Sequence, residues 1–202
     1  MIGSAYNYDY TGDGDPAKYE ISAAIPDFDS AKFGLLSGAV FTVFFSVTVL
    51  FSGILADNMS RRLLLGVSGI LWSLTSITTA ISKTYFGVAI SRMALGFFEA
   101  FIGPSAYSLI ADYFPPEVRT TAIGIYAFGI YIGVALSSLI VIMITIFGWR
   151  WAYAITGIIG VGVGIICLLF VKDPIRGRYE PRVVKQEEPV ETVETNSVIE
   201  DT

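Results

Sequence analysis

Long apolar segments alternate with short polar connections along most of the chain. A window of about 20 residues, the length of helix that crosses the hydrocarbon core of a bilayer, predicts five membrane-spanning helices. Their predicted ranges are 33–55, 63–81, 85–113, 122–147 and 151–171. Because the connections hold only a few residues, consecutive helices must run antiparallel as neighbours. The pattern therefore predicts an all-α integral membrane protein in which residues 33–171 form one helical bundle.

Both ends of the chain are polar and lie outside the predicted bundle. Residues 1–32 lack the apolar stretch of a signal peptide, and residues 172–202 have the charge and proline content of a disordered acidic tail. Of the 13 Lys and Arg residues, eight fall on the side of the tail, four on the opposite side and one within a span. Because basic residues accumulate in cytosolic loops, we expect a cytosolic C-terminus and an exterior or luminal N-terminal segment.

Composition agrees with a membrane location and narrows the classes of function. The mean hydropathy is +0.64, and 15% of the residues are charged. The chain has no histidine and one cysteine, Cys167, which argues against His-dependent triads, CxxC redox chemistry and most zinc sites. A net charge of −5 without a basic stripe argues against nucleic-acid binding. We therefore expect a protein that is not an enzyme and has no catalytic residue, cofactor or metal.

The connection between the first two predicted spans carries the most specific motif of the sequence. Residues 53–65 read GILADNMSRRLLL. This string resembles the G-x-L-a-D-r-x-G-R-R-x-x-l loop of the major facilitator superfamily of membrane transporters. Asn58 and Ser60 depart from the pattern, where the superfamily has an arginine and a glycine. The positions that carry the chemistry of the loop match, and they are Gly53, Asp57, Arg61 and Arg62.

Further matches follow in the order expected for this superfamily. The third predicted span contains R-x-x-x-G-x-x-E-A at residues 92–100, which is similar to the Spinster-like branch of lipid and organic-anion carriers. The next connection contains A-D-Y-F-P-x-x-x-R at residues 111–119. The resemblance implies that the five spans correspond to helices two to six of a twelve-helix transporter, which is a partial six-helix N-terminal bundle. We expect the first helix and the C-terminal half to be missing from this chain.

Arg92 and Glu99 are the charged residues inside the predicted spans, where a charge is costly unless it faces water or protein. They share one helix face, but about 10.5 Å of helical rise separates their backbones, so we expect no strong direct pair. Glu99 is predicted near the middle of the bilayer, where it could exchange a proton during transport. Arg92 lies nearer the outside and could hold an anionic headgroup or carboxylate. Alternatively, both are structural residues that hydrogen-bond other helices.

The charged residues on either side of the next connection also have two interpretations. Asp112 and Arg119 are explained equally well as a helix-end cap and an interfacial anchor, because Pro115 and Pro116 break the chain between them. The resemblance instead implies a group of residues that stabilises one closed cytosolic state of a carrier. That group consists of Gly53, Asp57, Arg61, Arg62, Asp112 and Arg119.

Glycine and tryptophan residues of the last two predicted spans have structural interpretations. Trp149 and Trp151 flank Arg150 at the predicted outer boundary, which is typical of interfacial residues. Two small-xxx-small pairs predict faces at which helices approach closely, and these pairs are Gly129 with Gly133 and Gly160 with Gly164.

Two functions from different classes remain open. The first is a secondary-active transporter, or part of one, that moves a small organic or lysolipid-like anion by alternating access. Its partners would be membrane lipid, the solute, and the missing C-terminal half or a partner chain. The second is a structural or assembly subunit that keeps the half-transporter fold and transports nothing. Either protein would lie in the plasma membrane or an endolysosomal membrane.

Overall fold

The computed structural model describes residues 15–25, 28–175 and 179, and every regular element within these residues is a helix. Two single-turn helices, α1 (Pro16–Tyr19) and α2 (Ile21–Ala24), precede the long helices. Most of the predicted disordered tail lies outside the described residues, as does the first part of the N-terminal segment.

Five helical segments are long and apolar enough to cross a membrane, as the hydrophobic pattern predicts. They cover Ala31–Asn58, Arg61–Ile81, Tyr85–Tyr113, Pro116–Phe147 and Trp149–Phe170. Within them, the helices are α3 (Ser30–Gly34), a π-helical stretch (Leu35–Val40), α4 (Phe41–Asn58), α5 (Arg61–Ile81), α6 (Tyr85–Glu99), α7 (Ile102–Tyr113), α8 (Pro116–Ser137), α9 (Leu139–Phe147) and α10 (Trp149–Phe170). The fourth span starts at Pro116, before the predicted start at residue 122. Proline favours the first turn of a helix, whereas the polar residues that follow it fall outside a hydropathy window.

Local sequence explains where several helices begin and end. The Ser60 hydroxyl caps α5 by accepting from the backbone N–H of Leu63 at 3.3 Å, and the Thr84 hydroxyl caps α6 by accepting from that of Gly87 at 3.2 Å. Gly148 has a φ of 87°, a conformation that side chains with a Cβ rarely adopt. This glycine ends α9 and allows α10 to begin at the next residue.

Helix α5 lies at the centre of the bundle. Its largest interface is with α10, and it also packs against α6 and α7. An added Cβ at Gly157 of α10 would lie 2.8 Å from the Ser73 carbonyl oxygen of α5, and one at Gly164 would lie 3.2 Å from the Ile70 nitrogen. Gly160 faces the Ser73 side chain in the same way. The glycines of α10 therefore lie where two helices approach closely.

Helix α8 is mostly exposed, and its glycines have no such neighbours. Gly129 and Gly133 are exposed, and no described heavy atom lies within 4 Å of an added Cβ at either position. Contrary to the sequence-based expectation, this pair brings no two helices of the described chain together. The reason is that α8 contacts α7 through its first half, up to the Tyr107–Tyr126 ring pair, whereas both glycines lie further along the helix.

The residues before the first span fold over one end of the bundle. Ile21, Ile25 and Phe28 are buried together with Trp149 and Tyr153 of α10. This end, the Trp149 end, is closed by an apolar cluster. The opposite end holds the loop between α4 and α5 and the first residue of α5, and we refer to it as the Arg61 end.

Candidate functional site

Arg61 brings the loop motif and the third span together at the Arg61 end. Its guanidinium forms an ion pair with Asp112 of α7, and Nη1 also donates to the Ser108 carbonyl oxygen at 3.4 Å. The two side chains of the ion pair are 13% and 7% exposed, so this pair is largely removed from solvent. Asp57 Oδ1 lies 3.9 Å from Arg61 Nη2, but the Asp57 side chain is 74% exposed. Arg61 is thus shared by one buried and one exposed carboxylate.

Arg62 and Arg119 bind carbonyl groups near helix C-termini. Arg62 Nε donates to the Leu168 carbonyl oxygen of α10 at 2.8 Å, and Nη2 donates to the same oxygen. Arg119 Nη2 donates to the Ala111 carbonyl oxygen of α7 at 2.9 Å. Cations are favourable there because the last carbonyl groups of a helix carry partial negative charge. Gly53 lies on α4, half-buried, and no described neighbour restricts an added Cβ.

Asp173, which the sequence analysis missed, completes the cluster at the Arg61 end. Its Oδ1 accepts from the backbone N–H of Arg62 at 3.0 Å, and its Oδ2 accepts from the Ser60 hydroxyl. A carboxylate at the N-terminus of α5 is favoured by the helix dipole. Next to it, the Tyr113 hydroxyl donates to the Lys172 carbonyl oxygen. The available signal in the sequence was an acidic residue directly after the last span, among basic ones.

These residues surround a small cavity. Its volume is about 160 Å³, and it is lined by Ser60, Arg61, Asp112, Asp173 and Pro174. Pockets for organic ligands usually have about 300–1,000 Å³, whereas one water occupies about 30 Å³. The size of this cavity therefore suits a few water molecules rather than an organic solute.

Arg92 and Glu99 lie on α6, in the first half of the third span. Arg92 Nη2 donates to the Tyr153 hydroxyl of α10 at 2.7 Å, and Arg92 Cζ lies 5.7 Å from the centroid of the Tyr153 ring. Glu99, the last residue of α6, lies beside the Trp72 indole and within the electrostatic influence of Arg92. No ion pair joins Arg92 and Glu99 in the described part of the chain, in agreement with their helical separation.

Two buried polar groups near these residues lack a hydrogen-bond partner in the protein. They are Arg92 Nε and Trp72 Nε1, and neither has a partner among the described residues. Buried polar atoms are usually paired, so such a group marks an interior suited to water or a polar ligand. Gly96, between Arg92 and Glu99, allows α4 to approach closely, because an added Cβ would lie 2.8 Å from the Phe41 carbonyl oxygen.

The described chain is thus a bundle of apolar helices with an arginine and a glutamate within one span and a cluster of charged side chains at one end. The chain belongs to the Major Facilitator Superfamily, whose match covers residues 10–199. A hexuronate transporter of Bacillus subtilis (strain 168) is 26% identical over 168 residues, 83% of this chain and 38% of that protein. A sphingosine-1-phosphate transporter of Xenopus tropicalis is 32% identical over 151 residues, 73% of this chain and 29% of that protein.

The fold comparison supports a Spinster-like member of the superfamily. The crystal structure of a bacterial homolog to the human lysosomal transporter Spinster, in an inward-facing and occupied conformation, matches with a TM-score of 0.70 and 25% identity. The match covers 77% of this chain and 39% of that one. The predicted superfamily, Spinster-like relationship and helical membrane fold are therefore confirmed. The chain spans less than two fifths of the length of these relatives.

Proposed function

We propose that this chain is part of a secondary-active transporter that moves a small organic or lysolipid-like anion by alternating access. The observation that carries the proposal is the position of Arg92. This cation lies within a membrane-spanning segment, with one terminal nitrogen bonded to Tyr153. Its other terminal nitrogen, Nη1, has no hydrogen-bond partner among the described residues. This atom is not fully buried, so a ligand can reach it.

The relatives support an anionic solute. Hexuronates carry a carboxylate and sphingosine-1-phosphate carries a phosphate, and these are the solutes in the names of the two relatives. A guanidinium binds both groups through parallel N–H donors, and such charge-assisted bonds are strong inside a low-dielectric interior. We assign Arg92 to the anionic group of the solute, with the choice between a sugar acid and a lysolipid left to experiment.

Glu99 is the residue we assign to proton coupling. A carboxyl group halfway along a span is costly in its charged form and gains or loses a proton when water reaches it. Its position suits this role, because Glu99 shares a helix with Arg92 and lies halfway along the third span. Proton exchange at Glu99 and solute binding at Arg92 would then be coupled through their electrostatic interaction.

We assign the Arg61 end to the cytosol, and its polar cluster to closure of the bundle on that side. Arg61, Asp112 and Asp173 hold together α5, α7 and the residues that follow α10. Basic residues flank this end, as they do in cytosolic loops. Asp57 lies beside Arg61 at the mostly exposed edge of this cluster.

Matched arginine variants test the transport function. We expect Arg92→Lys, in the full-length protein reconstituted in liposomes, to raise the KM for galacturonate or sphingosine-1-phosphate about tenfold or more, because lysine lacks the planar fork. Arg150→Lys is the control, since Arg150 binds carbonyl oxygens of Ala80 and Ser82 at the Trp149 end. The proposal is refuted if the two variants have equal kinetics. It is also refuted if the wild type takes up neither galacturonate nor sphingosine-1-phosphate.

The alternative of a non-transporting assembly subunit predicts a different native protein. A native product near 21.9 kDa that purifies in a stable complex and moves no solute favours the subunit. A product about twice that size that carries out uptake by itself favours the transporter.

A further inference from the structure

A continuous set of contacts connects Arg92 to the residues that precede the first span. Tyr153 is 2% exposed, and its hydroxyl accepts the hydrogen bond from Arg92. The Tyr153 ring meets the Trp149 ring edge-on, with 6.2 Å between centroids. Trp149 is fully buried, and its Nε1 donates to the Ala17 carbonyl oxygen of α1 at 3.2 Å. Residues 15–25 thus reach the guanidinium in the third span through two aromatic side chains.

Residues 15–25 are seated firmly on the Trp149 end. Ile21 and Ile25 are 0% and 1% exposed, which is the burial of a packed core rather than of a surface loop. The backbone also approaches closely, because an added Cβ at Gly148 would lie 2.5 Å from the Lys18 carbonyl oxygen. Gly148 therefore serves both the turn between α9 and α10 and the seating of this segment.

The geometry of Tyr153 fixes the direction of the Arg92 side chain. An unrestrained arginine has about 2 kcal/mol of rotamer entropy, and that freedom lowers the affinity of any anion it must bind. Tyr153 removes part of this freedom, because its hydroxyl holds Nη2 while its ring lies against the guanidinium. Nη1 is not used by this bond and remains for a ligand.

We propose that Tyr153 is a positioning residue for Arg92, and that it acts fully only while residues 15–25 are seated on Trp149. Seating of this segment and affinity for the solute are then linked. A carrier with this linkage holds its arginine ready while the Trp149 end is closed, and loosens it when that end opens. The inference deepens the proposed function, since it assumes that Arg92 binds the anionic group of the solute.

A labelling experiment tests the structural part without any solute. Phenylglyoxal reacts with accessible guanidinium groups, and mass spectrometry of the full-length protein in lipid gives the rate at each arginine. We expect Tyr153→Phe to raise the rate at Arg92 about tenfold, the effect of losing one hydrogen bond to a charged group. Arg119, at the Arg61 end, is the internal control in the same sample. An unchanged rate at Arg92 overturns the positioning role.

A second pair of variants tests the link to residues 15–25. Gly148→Ala disturbs the seat without touching Arg92 or Tyr153, and we expect it to raise the rate at Arg92 severalfold. Gly129→Ala is the matched control, because open space surrounds Gly129. Trp149→Phe, which removes the bond to Ala17 and keeps an aromatic ring, provides the same test if Gly148→Ala does not fold. Rates at Arg92 equal to those of the control overturn the link.

Uptake kinetics separate this inference from the proposed function. With galacturonate or sphingosine-1-phosphate as the probe, we expect Tyr153→Phe to raise KM about tenfold and to leave the maximal rate nearly unchanged. A fall in maximal rate with unchanged KM overturns the positioning role. If Arg92→Ala transports like the wild type, the proposed function fails, whereas the labelling results still decide whether Tyr153 holds Arg92.

Discussion

The buried ion pair between Arg61 and Asp112 gives a quantitative prediction about stability. The two side chains are 13% and 7% exposed, so removal of either partner leaves the other charge in an interior site without its buried counter-charge. Breaking such a pair costs about 3–5 kcal/mol. Arg61→Ala and Asp112→Ala should each lower the free energy of unfolding by about this amount, which corresponds to roughly a hundredfold to a few thousandfold in the folding equilibrium constant.

A double variant distinguishes the ion pair from simple loss of contacts. In Arg61→Met with Asp112→Leu, both desolvation costs disappear together, and we expect a smaller loss of stability than in either single variant. Asp57→Ala is the matched control, because Asp57 faces the same arginine at 3.9 Å but is 74% exposed. Exposed pairs contribute about 0–1 kcal/mol, so this control should remain close to the wild type.

The assay is reversible unfolding of the full-length protein in mixed detergent micelles, followed by alkylation of Cys167. This half-buried thiol lies next to Leu168, the residue whose carbonyl oxygen binds Arg62, and is therefore well placed to report opening of the Arg61 end. The reasoning is refuted if Asp112→Ala loses less than about 1 kcal/mol, the value of a solvent-screened pair. It is also refuted if the losses of Arg61→Met and Asp112→Leu, each measured alone, simply add in the double variant.

Three further predictions concern coupling, packing and topology. Glu99→Gln should express normally but lose uptake driven by a pH gradient, and unchanged pH dependence in liposomes would contradict the proton role. Gly157→Ala should lower the free energy of unfolding by about 1–3 kcal/mol, because the new Cβ meets the backbone of α5. Gly162→Ala is the control, since open space surrounds Gly162. Equal stabilities of the two variants would contradict the close packing of α10 on α5. Protease added to sealed, right-side-out membranes should spare a C-terminal epitope, and its digestion would reverse the proposed orientation.

The two ends of the bundle are closed by different chemistry. At the Arg61 end, charged side chains and helix-terminal carbonyl groups form the contacts. At the Trp149 end, an apolar cluster does so, with Arg150 stacked 4.4 Å from the centroid of the Trp149 ring. Salt screens exposed ionic contacts but has much less effect on a buried pair. We therefore expect salt to weaken the exposed contact between Asp57 and Arg61 and to leave the buried pair of Arg61 and Asp112 nearly unchanged.

Sequence by itself determined the spans and the family. The free energy of transfer into lipid is a sum over the residues of a segment. A sliding window along the chain therefore finds the five helices without knowledge of their packing. The loop motif at residues 53–65 and the string at residues 92–100 identified the superfamily in the same local way. The candidate roles of Arg92 and Glu99 also came from their position within a span, because a charge inside the membrane is costly and usually serves a function.

Only the tertiary structure decided which of these residues meet. Arg61 and Asp112 are 51 positions apart, and Asp173 lies 111 positions from the N–H it binds. Trp149 and Trp151 have the same side chain and the same local setting, yet they are 0% and 63% exposed, because residues 15–25 cover only one of them. Hydropathy assigns a residue to the membrane but carries no information about the neighbouring helix, and partners are chosen by how helices pack.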